Sequence, residues 1–143
     1  MTKPTVHDRY AHQTGRLFED FVVGDIYHHL PGRTISQNDN AWFTLLTMNT
    51  HPLHFDAEYG KASEFGKCIV ASPLTLAILV GMSVTDVSQK AIANMGWKDI
   101  RMTAPVFAGD TLYGESEVLE KRESKSRPTA GLVTVRTIGK NQD

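Results

Sequence analysis

The chain has 143 residues, enough for one domain with a substantial core and too few for two. Its 41% hydrophobic and 22% charged residues and net charge of −1 describe an ordinary soluble globular protein, without the basic surplus that nucleic-acid binding needs. The start, Met1-Thr2-Lys3-Pro4-Thr5-Val6-His7-Asp8, lacks a signal-peptide core, and no later stretch approaches the roughly 18 apolar residues of a membrane span, so we expect a cytoplasmic protein. Residues 1–17 are polar and punctuated by Pro4 and Gly15, and read as an N-terminal arm; His7, Arg9, His12 and Arg16 could fold it onto a neighbouring subunit. A single domain is expected over residues 18–143.

Leu17 to Ile35 reads as a lead-in segment and a first strand, with Gly24-Asp25 and Leu30-Pro31-Gly32 as punctuation. Ser36 is a good N-cap with Asp39 at capping-box distance, and predicts a helix over 37–48. Asp56 to Phe65 carries Ala57, Tyr59, Ala62 and Phe65 at helical spacings, and Gly66 is a stop signal. Cys68 is the single cysteine, so an internal disulfide and a Cys-rich zinc site are excluded; beside Ile69 and Val70 it reads as an inert buried thiol. Ser72-Pro73 supplies an N-cap and N1 pair for Leu74 to Met82, a helix apolar on every side and therefore expected to be buried on every side.

From Ala91 the pattern changes to strands: Ala91 to Trp97, Asp99 to Met102, then a turn at Pro105 to Asp110 and a long alternating run from Thr111 to Ser124. In that run Leu112, Gly114, Ser116, Val118 and Glu120 share one face. Lys121 to Pro128 is a charged turn, Gly131 to Ile138 another strand, and Gly139 to Asp143 a further turn whose returning strand is either absent from the chain or supplied by a partner. A buried helix followed by antiparallel strands gives an α+β domain with the sheet wrapped around the helix.

The stretch that carries chemistry is Asn49-Thr50-His51-Pro52-Leu53-His54. Pro52 ends the preceding helix and forces His51 out of the α region, leaving Asn49, His51 and His54 on a turn that Trp42, Phe43, Leu45, Leu46 and Met48 are expected to back. Asn49 reads equally well as a left-handed helix C-cap and as a site residue. Metal binding by His51 and His54 is a further reading, but Pro52 breaks the helical face they would share and only Asp56 lies near to complete a set.

Together the order of elements and this stretch resemble the MaoC-like dehydratase family of hot-dog-fold hydratases, over about Phe18 to Asn141. The family pattern is Asp, any residue, Asn, Pro, an aliphatic, His, and a small residue further on. Here Asn49 stands at the Asp, His51 at the Asn and His54 at the His; five residues separate His54 from Gly60, and the pattern's Ala or Ser is read at Ala62. The resemblance implies addition of water to an enoyl-CoA thioester, with no cofactor beyond the CoA of the substrate, in a homodimer or higher homo-oligomer. His54 would be the general base or acid, because imidazole titrates near neutrality, whereas the amide of Asn49 can only orient. His51 is the candidate for the second proton transfer.

Where the family has a His-Gly pair opening the buried helix, this chain has Ala71-Ser72-Pro73. Pro73 has no N–H, so Ser72 becomes the expected donor to the thioester carbonyl. The wording from Trp42 to Phe55, at Gly81 to Val84 and from Ala91 to Trp97 resembles the mesaconyl or itaconyl branch, which implies a short branched dicarboxylic acyl group. Its second carboxylate needs a cation, and Arg33, Arg101 and Arg16 are the candidates. Two other readings stay open: an acyl-CoA thioesterase, and a non-catalytic acyl-CoA-binding hot-dog subunit.

Overall fold

The computed structural model describes residues 15–143, so most of the expected arm, with His7, Arg9 and His12, lies outside the described residues. A 3-10 turn over Phe18–Asp20 leads into β1 (Ile26–Thr34), which pairs antiparallel with β2 (Thr111–Glu123); β2 pairs antiparallel with β3 (Gly131–Lys140), in the order β1-β2-β3. The helices are α1 (Gln37–Leu46), α2 (Ala57–Ala62) and α3 (Ser72–Ser83). A π-helical turn, Val84–Ser88, continues α3.

Period-two alternation places Leu112, Gly114, Ser116 and Val118 on the buried face of β2, as the sequence predicts. Glu120 departs from it. The register shifts between Val118 and Glu120, and an extra residue in one strand turns every later side chain to the opposite face. A second irregularity falls between His29 and Arg33 in β1, where Leu30-Pro31-Gly32 sits and the Leu30–Pro31 peptide is cis; a proline is tolerated in a strand at such a break. β3 runs on through Gly139 to Lys140, so the turn expected at Gly139 does not form there. Gly114 and Gly139 are partners across β2 and β3, and a Cβ on Gly139 would lie 2.4 Å from Leu79 Cδ1. These two glycines let α3 approach the sheet closely.

Ile35, Val70, Ala71, Leu74 and Leu112 form the core cluster, with Phe43, Ile78, Met82 and Val106 packed against it. Each aliphatic side chain buried there contributes about 1.5–3 kcal/mol of transfer free energy. α3 is not buried on every side: Leu74, Thr75 and Ser83 are buried, but Ala77 and Gly81 are exposed, because three strands cover only one side of it. The strands expected at 91–97 and 99–102 do not form. A strand needs a ladder partner, and the sole pairing outside the sheet among the described residues is the bridge between Ile69 and Phe107.

Beneath the sheet runs a chain of polar side chains. His29 is fully buried; its Nδ1 lies 2.9 Å from Asp86 Oδ2 and its Nε2 2.8 Å from Ser116 Oγ, which is 2.8 Å from Thr137 Oγ1. Arg16 donates to Asp86 Oδ1 at 3.2 Å and lies over the Tyr27 ring. The network ties all three strands to the turn after α3. Burial alone would raise the Asp86 pKa, but the hydrogen bonds from His29 and Arg16 outweigh it and hold the carboxyl below its ordinary value.

Candidate active site

Ser36 and Asp39 form the capping box anticipated for α1: Ser36 Oγ accepts from Asp39 N–H at 3.1 Å, and Asp39 Oδ2 accepts from Ser36 N–H at 2.8 Å. The bond from Ser36 N–H is the main reason that the Asp39 carboxyl stays below its usual pKa, with Arg33 assisting. At the other end of α1 the left-handed residue is Met48, with φ of 55°, rather than Asn49. Asn49 N–H reaches back to Thr44 O at 2.9 Å and Met48 N–H to Leu45 O at 3.3 Å, closing the helix in a Schellman-like turn.

Asn49 then begins a second turn. Its Oδ1 accepts from His51 N–H at 3.1 Å, which leaves its Nδ2 without an intramolecular partner among the described residues. His51 takes an extended conformation ahead of Pro52, and its Nδ1 accepts from Leu53 N–H at 3.2 Å, capping a 3-10 turn over Pro52–His54. Asp56 is the N-cap of α2 and accepts from Glu58 N–H and Tyr59 N–H, both at 3.0 Å. The rings of His51 and His54 lie 5.8 Å apart, and Tyr59 stands edge-on to His51 at 5.9 Å.

His54 is half-buried, and its Nδ1 donates to the carbonyl of Ile69 at 2.9 Å. In the neutral ring this bond puts the proton on Nδ1 and leaves the lone pair of Nε2 free; in His51 the bond from Leu53 requires the opposite tautomer, with the proton on Nε2. Two neighbouring imidazoles are therefore set up as one acceptor and one donor.

The residue that sequence reasoning missed is Asn40. It is fully buried on α1; its Nδ2 donates to His54 O at 2.8 Å and to Ile69 O at 2.9 Å, and its Oδ1 accepts from Ala71 N–H at 2.9 Å. Gln37, one turn earlier on the same face, donates to His54 O at 2.8 Å. The available signal was the polar series Gln37, Asn40 and Thr44, spaced along one face of a helix otherwise rich in apolar residues.

Ala71, not Ser72, is the N-cap of α3, so Ser72 occupies the first turn; its N–H has no acceptor among the described residues. The helix N-terminus thus offers a free amide and a positive dipole end directly after the 69–71 segment that holds His54. Of the three arginines, Arg33 is taken up by Asp39 at 2.9 Å and by Thr34 O, and Arg16 by Asp86. Arg101 is exposed and has no ion pair among the described residues.

Gly60 is a position that must stay small, since a Cβ there would come within 2.6 Å of Cys68 N, whereas Ala62 is exposed. Cys68 is half-buried; its thiol donates to Asp56 O at 3.3 Å, and burial, with Asp56 beside it, raises its pKa and so disfavours the reactive thiolate. Among the described residues no group of three or more His, Cys, Asp or Glu is arranged to hold a metal ion, and no helix is long and apolar enough to cross a membrane.

The sequence profile described as "MaoC like domain" matches residues 20–141. Mesaconyl-CoA hydratase of Cereibacter sphaeroides is 36% identical over 128 residues; the match covers 90% of this chain and 37% of the relative, so the chain spans little more than a third of that protein. A MaoC-like dehydratase from Rhodospirillum rubrum superposes with a TM-score of 0.76 at 29% identity, over 90% of this chain and 87% of the other. A Mycobacterium tuberculosis protein with a double hot-dog fold gives a TM-score of 0.80 at 24% identity, over 90% of this chain and 40% of the other, a likeness of fold alone. An antiparallel sheet laid on a long helix, preceded by a turn that carries Asn, His, Pro and His, is thus a hot-dog unit, and the chain belongs to the MaoC-like dehydratase family.

Proposed function

We propose that the chain catalyses reversible hydration of an enoyl-CoA thioester, with CoA entering only as part of the substrate. The observation that carries this reading is the fixed tautomer of His54: with Nδ1–H spent on Ile69 O, the Nε2 lone pair is free to accept a proton. His54 Nε2 takes a proton from water as the water oxygen bonds to the β-carbon. The π pair moves toward the thioester, and negative charge develops on its carbonyl oxygen, where the Ser72 N–H and the N-terminus of α3 supply a donor and a positive dipole end. The proton gained by His54 Nε2 is then delivered to the α-carbon, which restores the neutral ring, while His51 Nε2–H stays in place as a hydrogen-bond donor to the reacting groups. Asn49, through its free Nδ2, orients the water.

For the acyl group we favour a short dicarboxylic substrate, supported by the likeness to mesaconyl-CoA hydratase and by Arg101, whose guanidinium is uncommitted and can grip a carboxylate at two points. A second hot-dog unit completes the assembly, either another copy or another part of a longer chain. Its support is the exposed apolar surface of α1 and the loop after α3, including Trp42 at 67%, Leu46 at 80% and Met95 at 82% exposure, which is large for a free surface. We place the reaction in the cytoplasm. A thioesterase is the weaker reading, because Asp56, the carboxylate two residues after His54, is occupied in capping α2.

The test mixes the protein with a panel of enoyl-CoAs, including mesaconyl-CoA and crotonyl-CoA, and follows the enoyl-thioester absorbance together with free thiol. Loss of the band without thiol release is the expected result. Steady thiol release would establish the thioesterase, and tight binding without either change the non-catalytic subunit.

A further inference from the structure

Asn40 is a fully buried polar side chain on a helix, and three of its hydrogen bonds go to backbone groups far away in sequence. Its two Nδ2 hydrogens grip the carbonyl of His54 and that of Ile69, and the second of these carbonyls is the acceptor of the His54 Nδ1 proton. Its Oδ1 holds Ala71 N–H, at the N-cap of α3. One carboxamide thereby fixes the backbone from which His54 hangs, the acceptor that sets its tautomer, and the start of the helix that faces the developing oxyanion.

We infer that Asn40 is the positioning residue for His54: by clamping the His54 and Ile69 carbonyls it keeps the imidazole proton on Nδ1 and the lone pair on Nε2. The role rests on the reading of His54 as the base. A carboxamide is the group that fits, since only an amide offers two donors and an acceptor from one planar head. Aspartate has the same shape but not the paired donors, so the His54 and Ile69 carbonyls would each lose one of two partners while the Ala71 bond survives. Free imidazole prefers its proton on Nε2, so loosening the clamp moves His54 toward the unproductive tautomer. Outer partners of metal-bound histidines cost roughly 10–100-fold when removed, and the same order is expected here.

The experiment compares wild-type protein and Asn40→Asp, both labelled with 15N-histidine, by the imidazole nitrogen shifts of His54, and in parallel measures turnover of enoyl-CoA against pH. In wild type, Nδ1 of His54 carries the proton; in Asn40→Asp the proton shifts toward Nε2, kcat falls roughly 10–100-fold with KM within about threefold, and the acid limb of the pH profile moves. A folded variant with an unchanged His54 tautomer and unchanged profile would overturn the inference. The tautomer comparison needs no substrate, so failure of the hydratase reading would appear as an inactive wild type whose His54 nitrogens still respond to Asn40. Should the variant not fold, through-bond couplings from the wild-type Asn40 amide to the His54 and Ile69 carbonyl carbons decide the matter: their presence supports the clamp and their absence removes it.

Discussion

Replacing Asp86 by alanine strips the Nδ1 partner from a histidine with no exposed side-chain surface and one partner from Arg16. Leaving a buried donor unsatisfied costs about 1–3 kcal/mol. The Arg16 contact, between side chains that are 32% and 25% exposed, adds only about 0.2–1 kcal/mol after solvent screening. The expected loss for Asp86→Ala is thus about 1–4 kcal/mol, equivalent to roughly 3–15 °C in Tm for a domain of this size. Asp86→Asn is expected to lose about 1 kcal/mol or less, because the chain of hydroxyls can reverse: the new amide donates to Nδ1, Nε2–H donates to Ser116, and Ser116 to Thr137. Thermal unfolding followed by circular dichroism at pH 7 separates the two variants. The sign of the pH dependence follows from the lowered Asp86 pKa. A carboxyl more acidic in the folded than in the unfolded chain stabilises above its unfolded pKa, and that stability is lost as pH falls through the folded value. The gap between wild type and Asp86→Asn should therefore shrink on acidification below about pH 4. An Asp86→Ala protein within about 0.5 kcal/mol of wild type at pH 7 would refute the reasoning.

The other expectations concern the site. His51→Asn should lower kcat about 100-fold with little change in KM, and full turnover would show that the His51 N–H is not needed in the transition state. Arg101→Ala should raise KM for mesaconyl-CoA by roughly tenfold over its effect on crotonyl-CoA, while Arg33→Ala, which breaks a helix-capping contact, should alter Tm and not selectivity; steady-state kinetics with both substrates tells them apart. Because burial and Asp56 raise its pKa, Cys68 should react with iodoacetamide at pH 7 more slowly than a free cysteine, and faster labelling would contradict the inert assignment.

Local chemistry was legible in the sequence where one segment carries both halves of an interaction. Ser36 and Asp39 announce α1, Pro52 announces the turn, and alternation announces β2 as far as Val118, where the bulge ends its rule. The segment 91–102 misled because its apolar spacing matches a strand, whereas a strand depends on a neighbour that local pattern does not specify. Asn40 was illegible for a related reason: its partners lie 14, 29 and 31 residues away and are all backbone groups, which have no residue identity to read. The same holds for the dependence of His54 on Ile69, whose side chain plays no part in it.

The most direct test of the account is the enoyl-thioester absorbance of the preferred substrate mixed with wild-type protein and with His54→Ala. Wild type should bleach the band without releasing thiol, and His54→Ala should slow that loss about 100-fold or more while still binding the thioester. Equal rates in the two proteins would contradict the assignment of His54 as the base.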